Sequence, residues 1–254
     1  MSIKTSQEGQ IQIITIARPE KRNALTLEMY QALTEALRSA QEERSVRAVI
    51  LTGEGGCFSA GNDIVDFVAA ASRQDPAALA APTQFLQTIS TFTKPLVAAV
   101  EGDAIGIGTS MLLHCDLVYA AADAKLQLPF ARLGLVPEGG TSLLLPQQLG
   151  HRLAFELLVK GDAVSGERAA QLGLINAASH SPMADAQAAA QSLVALAPAS
   201  VRQSKAMLRE HQGELLQKVL LAEIEQFAAR LSSAEAQEAF SAFMEKRAPV
   251  FSDI

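Results

Sequence analysis

Apolar positions in the first half of the chain fall into two kinds of run. Ile11–Ala17, Val46–Thr52, Leu96–Val100 and Cys115–Ala120 are short stretches rich in β-branched or small apolar residues, the pattern of buried strands. Leu27–Gln41 instead carries Tyr30, Leu33, Leu37 and Ala40 at steps of three and four, which predicts a helix with one buried face. A further helix starts near Gly106. Strands alternating with helices predict a largely parallel α/β core with functional loops at the strand ends. From about Leu143 the pattern turns helical, with an alanine-rich stretch at Ala184–Ala197 and amphipathic ones at Ser200–Glu210 and Glu214–Leu231. Proline ends one helix and readily opens the next, so Pro198 divides the chain into a core, 1–197, and a helical C-terminal region, 198–254. Ala69–Pro82 reads as a loop able to cover a substrate.

Composition narrows the class. A chain of 254 residues, 49% hydrophobic and 19% charged, is long enough to bury a full core. No apolar run approaches the roughly 18 residues that span a bilayer. Residues 1–9 hold no apolar signal core, and Phe251-Ser252-Asp253-Ile254 is not an address of the Ser-Lys-Leu kind, so a cytoplasmic protein is expected. Two cysteines, Cys57 and Cys115, give neither a disulfide framework nor a CxxC knuckle. The four histidines His114, His151, His180 and His211 lie far apart, so no metal site is expected and His114 is read as structural. A net charge of −6 argues against a nucleic-acid surface, yet leaves room for one anionic ligand held by local cations and backbone donors.

Two stretches place small residues where a strand would hand over to a turn or helix: Phe58-Ser59-Ala60-Gly61-Asn62-Asp63-Ile64 and Gly106-Ile107-Gly108-Thr109-Ser110. Each offers a backbone N–H to a ligand oxygen, and two such donors converging on one carbonyl make an oxyanion hole. Taken singly, the first also reads as a tight turn with Asp63 as a helix cap, and the second as close packing at a helix start. The second is no dinucleotide fingerprint, since GxGxxG would need a glycine at Met111. Downstream, Glu138 stands between Pro137 and Gly139-Gly140 in a segment otherwise short of charge after Arg132. A glutamate in an apolar pocket has its pKa raised by desolvation, which suits proton transfer near neutrality. The plainer alternative is a cap on the helix starting near Thr141.

These stretches, with Ala131–Gly140, resemble the crotonase (enoyl-CoA hydratase/isomerase) superfamily over nearly the whole chain. Leu135-Val136-Pro137-Glu138-Gly139-Gly140 is most similar to Δ3,Δ2-enoyl-CoA isomerases of the peroxisomal type. The resemblance implies an α/β fold with a ββα spiral core and a C-terminal region that drives trimer formation and closes over the acyl site. It makes Ala60 and Ile107 the oxyanion donors and Glu138 the base, and groups Ser59, Gly61, Asn62, Asp63, Ile64, Gly106 and Phe130 around the substrate. Ser110 and Phe130 fall where hydratases of the family carry their two catalytic glutamates. Phe58, Ile64, Phe67, Phe85 and Leu86 become candidate acyl-tunnel residues, or ordinary core. Arg18, Lys21, Arg22 and Lys205 become candidates for coenzyme A phosphates, or solvated surface. Coenzyme A enters only as part of the acyl-CoA substrate, and no separate cofactor is implied.

The leading expectation is a Δ3,Δ2-enoyl-CoA isomerase of fatty-acid β-oxidation, assembled as a homotrimer or a dimer of trimers. A 2-enoyl-CoA hydratase using Glu138 with a bound water is the rival within enzymes. A silent acyl-CoA-binding or assembly module is the rival from another class.

Overall fold

Side-chain alternation in the strands decides the architecture of the computed structural model, which describes residues 2–66, 79–252 and 254. The larger sheet holds β1 (Ile3–Glu8), β2 (Ile11–Ile16), β3 (Ala48–Gly53), β4 (Leu96–Val100), β6 (Leu117–Ala121) and β9 (Ala177–Ser179), in that spatial order. β1 and β2 pair antiparallel; every other neighbour pair in this sheet is parallel. Its central strands are buried on both faces, which is why they read as continuous apolar runs. Ile14, Ile16, Val49, Leu51, Leu96, Ala98 and Val100 enter one core, and Ile11, Ile13, Ala48, Ile50, Val97 and Ala99 the other.

The helices Leu27–Glu42 and Ala80–Ser90 belong to the first core, where Tyr30 and Phe85 meet with ring centroids 5.5 Å apart. The helix Pro182–Val194 covers the opposite face through Ala186, Ala190 and Val194, small side chains that let it lie close to the sheet. Helix Leu27–Glu42 starts where Thr26 accepts the Met29 N–H, and its buried face includes the predicted Tyr30, Leu33, Leu37 and Ala40. Its C-terminal carbonyls are met by Lys94, whose Nζ donates to Ala40 and Glu43, each at 2.6 Å.

A second sheet combines β5 (Asp103–Ile105), β7 (Lys125–Gln127) and β8 (Val164–Ser165), with β5 and β7 parallel and β8 antiparallel to β7. β8 and β9 interrupt the region that the pattern read as helical. With two and three residues they are too short to show a period.

Pro198 opens its helix as expected, at Pro198–Glu210. The helices Gly213–Leu231 and Ala234–Met244 send Leu216, Leu220, Phe227, Leu231, Ala236 and Phe240 into the same core as the strands. Asp116, just before β6, ties this region to the sheet. Its carboxylate accepts from Lys205 Nζ at 2.6 Å, from Arg209 at 2.9 Å and from the Leu96 N–H at 2.8 Å. Lys205 also donates to the Lys94 carbonyl at 2.6 Å and lies 5.4 Å from the centre of the Phe92 ring. No helix among the described residues is long and apolar enough to cross a membrane.

Candidate active site

The two small-residue stretches run side by side. Ser59 and Ala104 form a parallel bridge, with the Ile105 N–H donating to the Ser59 carbonyl at 2.9 Å and the Phe58 and Ser59 N–H groups donating to Asp103. Gly61 adopts φ +94°, and a Cβ there would lie 2.8 Å from the Ile105 carbonyl oxygen. Both conditions require glycine.

The register shows which N–H groups are left without a backbone acceptor among the described residues. The Ala60 N–H donates to the Arg22 carbonyl at 2.9 Å, so the expectation that Ala60 faces a ligand is corrected. The Asn62 N–H finds no acceptor among the described residues, while its neighbours Gly61 and Asp63 are bonded to Ser59 Oγ and to the Leu25 carbonyl. Ile107, at the first position of the short helix Ile107–Ser110, likewise has a free N–H among the described residues. Asn62 and Ile107 each lie three residues beyond the Ser59–Ala104 bridge, at equivalent places on adjacent segments.

Glu138 is buried beside them. Ser110 Oγ, from the helix Ile107–Ser110, donates to its carboxyl at 3.1 Å. Burial pushes this carboxyl up to about 8, and the charge of Glu223 adds to the effect, while the Ser110 bond pulls the other way. The segment behind it is held through its carbonyls. Thr141 Oγ1 donates to the Glu138 carbonyl and His114 Nε2 to the Gly139 carbonyl, both at 2.8 Å. Burial draws His114 down to about 4, so its ring is neutral and the hydrogen belongs on the nitrogen that faces the carbonyl. Glu138 does not cap the helix Thr141–Leu149. That task falls to Glu223, whose carboxylate accepts from the Gly140 N–H at 2.6 Å and the Ser142 N–H at 2.9 Å. Glu223 was invisible in the sequence pattern, since it sits on the helix Gly213–Leu231 among other polar residues.

A small cavity reaches Glu138, lined by Tyr30, Asn62, Leu79, Pro82, Thr83, Leu86, Ile224 and Phe227. Tyr30 donates its phenolic hydrogen to Asn62 Oδ1 at the cavity wall. Burial, reinforced by nearby Glu138, raises the Tyr30 pKa well above its ordinary value and keeps it neutral. Glu138 is the one carboxyl group lining this cavity among the described residues.

The other expected residues take varied places. Ser59 is fully buried and bonds the Asn23 carbonyl and the Gly61 N–H, so its hydroxyl builds the turn. Asp63 caps the helical turn from Ile64, accepting from Val65 and Asp66, and pairs with Arg18 at 2.7 Å. Ile64 packs against the core, as does Gly106's neighbour Ile107; Gly106 itself bonds the Gln127 carbonyl at 2.8 Å. Phe58 and Phe85 are fully buried in the core, and Leu86 reaches the cavity. Phe130 is buried in the core and is absent from the lining of the Glu138 cavity. Phe67 and most of the candidate flap lie outside the described residues. Arg22 pairs with Asp103, and Lys21 faces solvent. Lys205 is corrected from a phosphate ligand to a buried partner of Asp116, because its bonds to Asp116 and to the Lys94 carbonyl point into the protein. Among the described residues no group of three or more acids, histidines or cysteines stands together to hold a metal.

Two mixed sheets with a helical C-terminal region are the α/β crotonase fold, the architecture of a superfamily that acts on acyl thioesters. The model of the enoyl-CoA hydratase/isomerase family matches residues 6–254, and the chain belongs to that family. A Bacillus subtilis protein named "Probable enoyl-CoA hydratase" is 32% identical, with 98% of each chain covered. The rat "Enoyl-CoA delta isomerase 2" is 33% identical over 96% of this chain and 64% of its own length. Among solved structures, Pseudomonas aeruginosa OdaA superposes with a TM-score of 0.90 at 43% identity, covering 96% of this chain and 98% of its own. An enoyl-CoA hydratase/isomerase from Pseudoalteromonas atlantica gives 0.92 at 39%, covering 99% of this chain and 100% of its own.

Proposed function

We propose that the protein is a Δ3,Δ2-enoyl-CoA isomerase in which Glu138 alone moves the proton. The observation that carries this reading is the single raised carboxyl in a cavity otherwise lined by neutral side chains. Hydration needs one group to deprotonate water and another to protonate carbon, which the family's hydratases divide between two carboxylates. An allylic shift needs one base. The Glu138 carboxylate removes a proton from C2 of a 3-enoyl thioester, and the electrons move onto the thioester oxygen as a dienolate. The N–H groups of Asn62 and Ile107 hold that oxygen. Glu138, now protonated, returns the hydrogen to C4, and the double bond ends between C2 and C3. Ser110, which occupies the place of one hydratase glutamate, steadies Glu138 by its hydrogen bond. Lys21 and Arg22, both exposed, are the cations assigned in this reading to the coenzyme A phosphates, Arg22 by exchanging its Asp103 partner. The exposed Met207, Leu208, Leu215 and Leu221 of the C-terminal helices supply apolar surface for a homotrimer or a dimer of trimers.

The names of several relatives favour hydration, so the decisive test measures both reactions on the purified protein. Conversion of 3-hexenoyl-CoA to 2-hexenoyl-CoA is expected to exceed hydration of crotonyl-CoA at least tenfold, by roughly the 1.4 kcal/mol that separates such rates. Faster hydration overturns the assignment. The base must be ionised to act, so kcat/KM is expected to rise with pH through a midpoint near 8. A flat profile between about pH 6 and about pH 9 excludes Glu138 in this ionisation state.

Gly61→Ala tests the backbone donors. The new Cβ meets the Ile105 carbonyl and the backbone must leave its positive φ, displacing the Asn62 N–H. Loss of one oxyanion donor is expected to lower kcat about a hundredfold. Unchanged kcat in the folded variant removes Asn62 from the mechanism.

A further inference from the structure

Glu223 is a buried carboxylate drawn from a part of the chain 83 residues beyond the turn it contacts. It accepts two backbone N–H bonds there, from Gly140 and Ser142, the N-cap and second residues of the helix Thr141–Leu149. The carbonyls of the preceding two residues are held separately by Thr141 and His114. Among the described residues the long-range bonds to the Glu138–Ser142 turn come from Ser110, which donates to the Glu138 carboxyl, from His114, and from Glu223, which supplies two and is the one of the three drawn from the C-terminal region. Glu223 does not line the cavity, although Ile224 and Phe227 on the same helix do.

The geometry points to Glu223 as a positioning residue of the proposed isomerisation: its carboxylate clamps the Gly140–Ser142 turn so that Glu138 faces the acyl chain, in register with the helix that walls the cavity. This inference rests on Glu138 as the base. A local serine or aspartate would cap the helix equally well. What a local cap lacks is the coupling of one helix to both the cavity wall and the base. The clamp also places a like charge near Glu138, where it favours the protonated carboxyl and so adds to the effect of burial. The other titratable groups around Glu138 are Tyr30, from the helix Leu27–Glu42, and His114, behind the turn, both neutral near pH 7. Of these neighbours Glu223 is the one that brings charge: burial raises its own carboxyl too, and the Ser142 and Gly140 bonds oppose that by favouring the carboxylate.

The test compares full-length Glu223→Gln and Glu223→Asp with the wild type, measuring kcat and KM for 3-hexenoyl-CoA against pH and checking folding by thermal melting. Glutamine keeps the size but removes the charge and one acceptor. It is expected to lower kcat roughly tenfold through misplacement of Glu138, to leave KM nearly unchanged, and to move the rising limb of the profile to lower pH. Aspartate keeps the charge and loses reach, so kcat falls while the limb stays. A folded Glu223→Gln protein with an unshifted limb, or with wild-type kcat, overturns the proposal and leaves Glu223 a helix cap. If Glu223→Gln does not fold, Glu223→Asp decides: reduced kcat at constant KM supports the proposal, and wild-type kcat overturns it. Full activity in Glu138→Gln would instead strike the underlying reading. An inactive Glu138→Gln with an unshifted Glu223→Gln rejects this inference alone.

Discussion

Glu138→Gln is expected to lower isomerisation at least about a hundredfold while making the protein more stable at alkaline pH. The loss follows from the role of the carboxylate: general-base catalysis contributes about a hundred- to ten-thousandfold, and no second carboxyl among the described lining residues stands in for it. The gain in stability follows from the same burial. The folded protein holds the Glu138 proton up to about 8, against an ordinary 4.5, so over that interval it binds more protons than the unfolded chain. The contribution of this carboxyl is fully present below pH 4.5 and is lost as pH rises through about 8. Each unit of separation corresponds to about 1.4 kcal/mol, which sets the cost at pH 9 on the order of a few kcal/mol. Glutamine removes that cost. Melting curves should show the variant above the wild type at pH 9 by at least about 2 °C, the two converging near about pH 4. A variant that is active, or less stable at every pH, contradicts the base assignment and the buried charge respectively.

The second large effect concerns stability alone. Asp116→Ala is expected to destabilise the fold by about 3–5 kcal/mol, because it leaves Lys205 buried and without its counter-charge. Burial already draws the Lys205 ammonium down to about 8, with Asp116 opposing that effect. The Leu96 N–H and one Arg209 bond lose their acceptor as well. A fall in melting temperature of roughly 6 °C or more should follow, larger at pH 7 than at pH 10, where Lys205 is neutral in the variant. An effect below about 1 kcal/mol would mean that water reaches the ammonium.

The strands and the first helix were legible because both faces of the sheet impose a simple rule on the chain. Leu96–Val100 is apolar at every position since each residue meets one of two cores, and Leu27–Glu42 shows its buried face at helical spacing. The site was legible in outline. Glu138 stood out as a charge in an apolar segment, and the glycine turns announced two backbone loops. Within the first loop the N–H left free is that of Asn62, two residues beyond the expected Ala60. Sequence showed that a turn was present but not which N–H it left free, and the carbonyl that occupies Ala60 belongs to distant Arg22. Lys205 and Glu223 were misjudged or missed for a related reason. A charged residue on an amphipathic helix looks solvated until its partner is known, and those partners, Asp116 and the Gly140–Ser142 turn, lie 89 and more than 80 residues away.

The order in which the chain leaves the ribosome gives the C-terminal helices a further significance. When residue 197 has emerged, both sheets are complete, yet Leu216, Leu220, Phe227 and Leu231 are still missing from the core they help to fill. Until they arrive the nascent protein exposes an apolar face beside Glu138, the kind of surface that chaperones shield during synthesis. Ribosome-bound chains long enough to expose residue 197 but not the helix Gly213–Leu231 should therefore be captured by holdase chaperones, and release should coincide with docking of that helix, which carries Glu223.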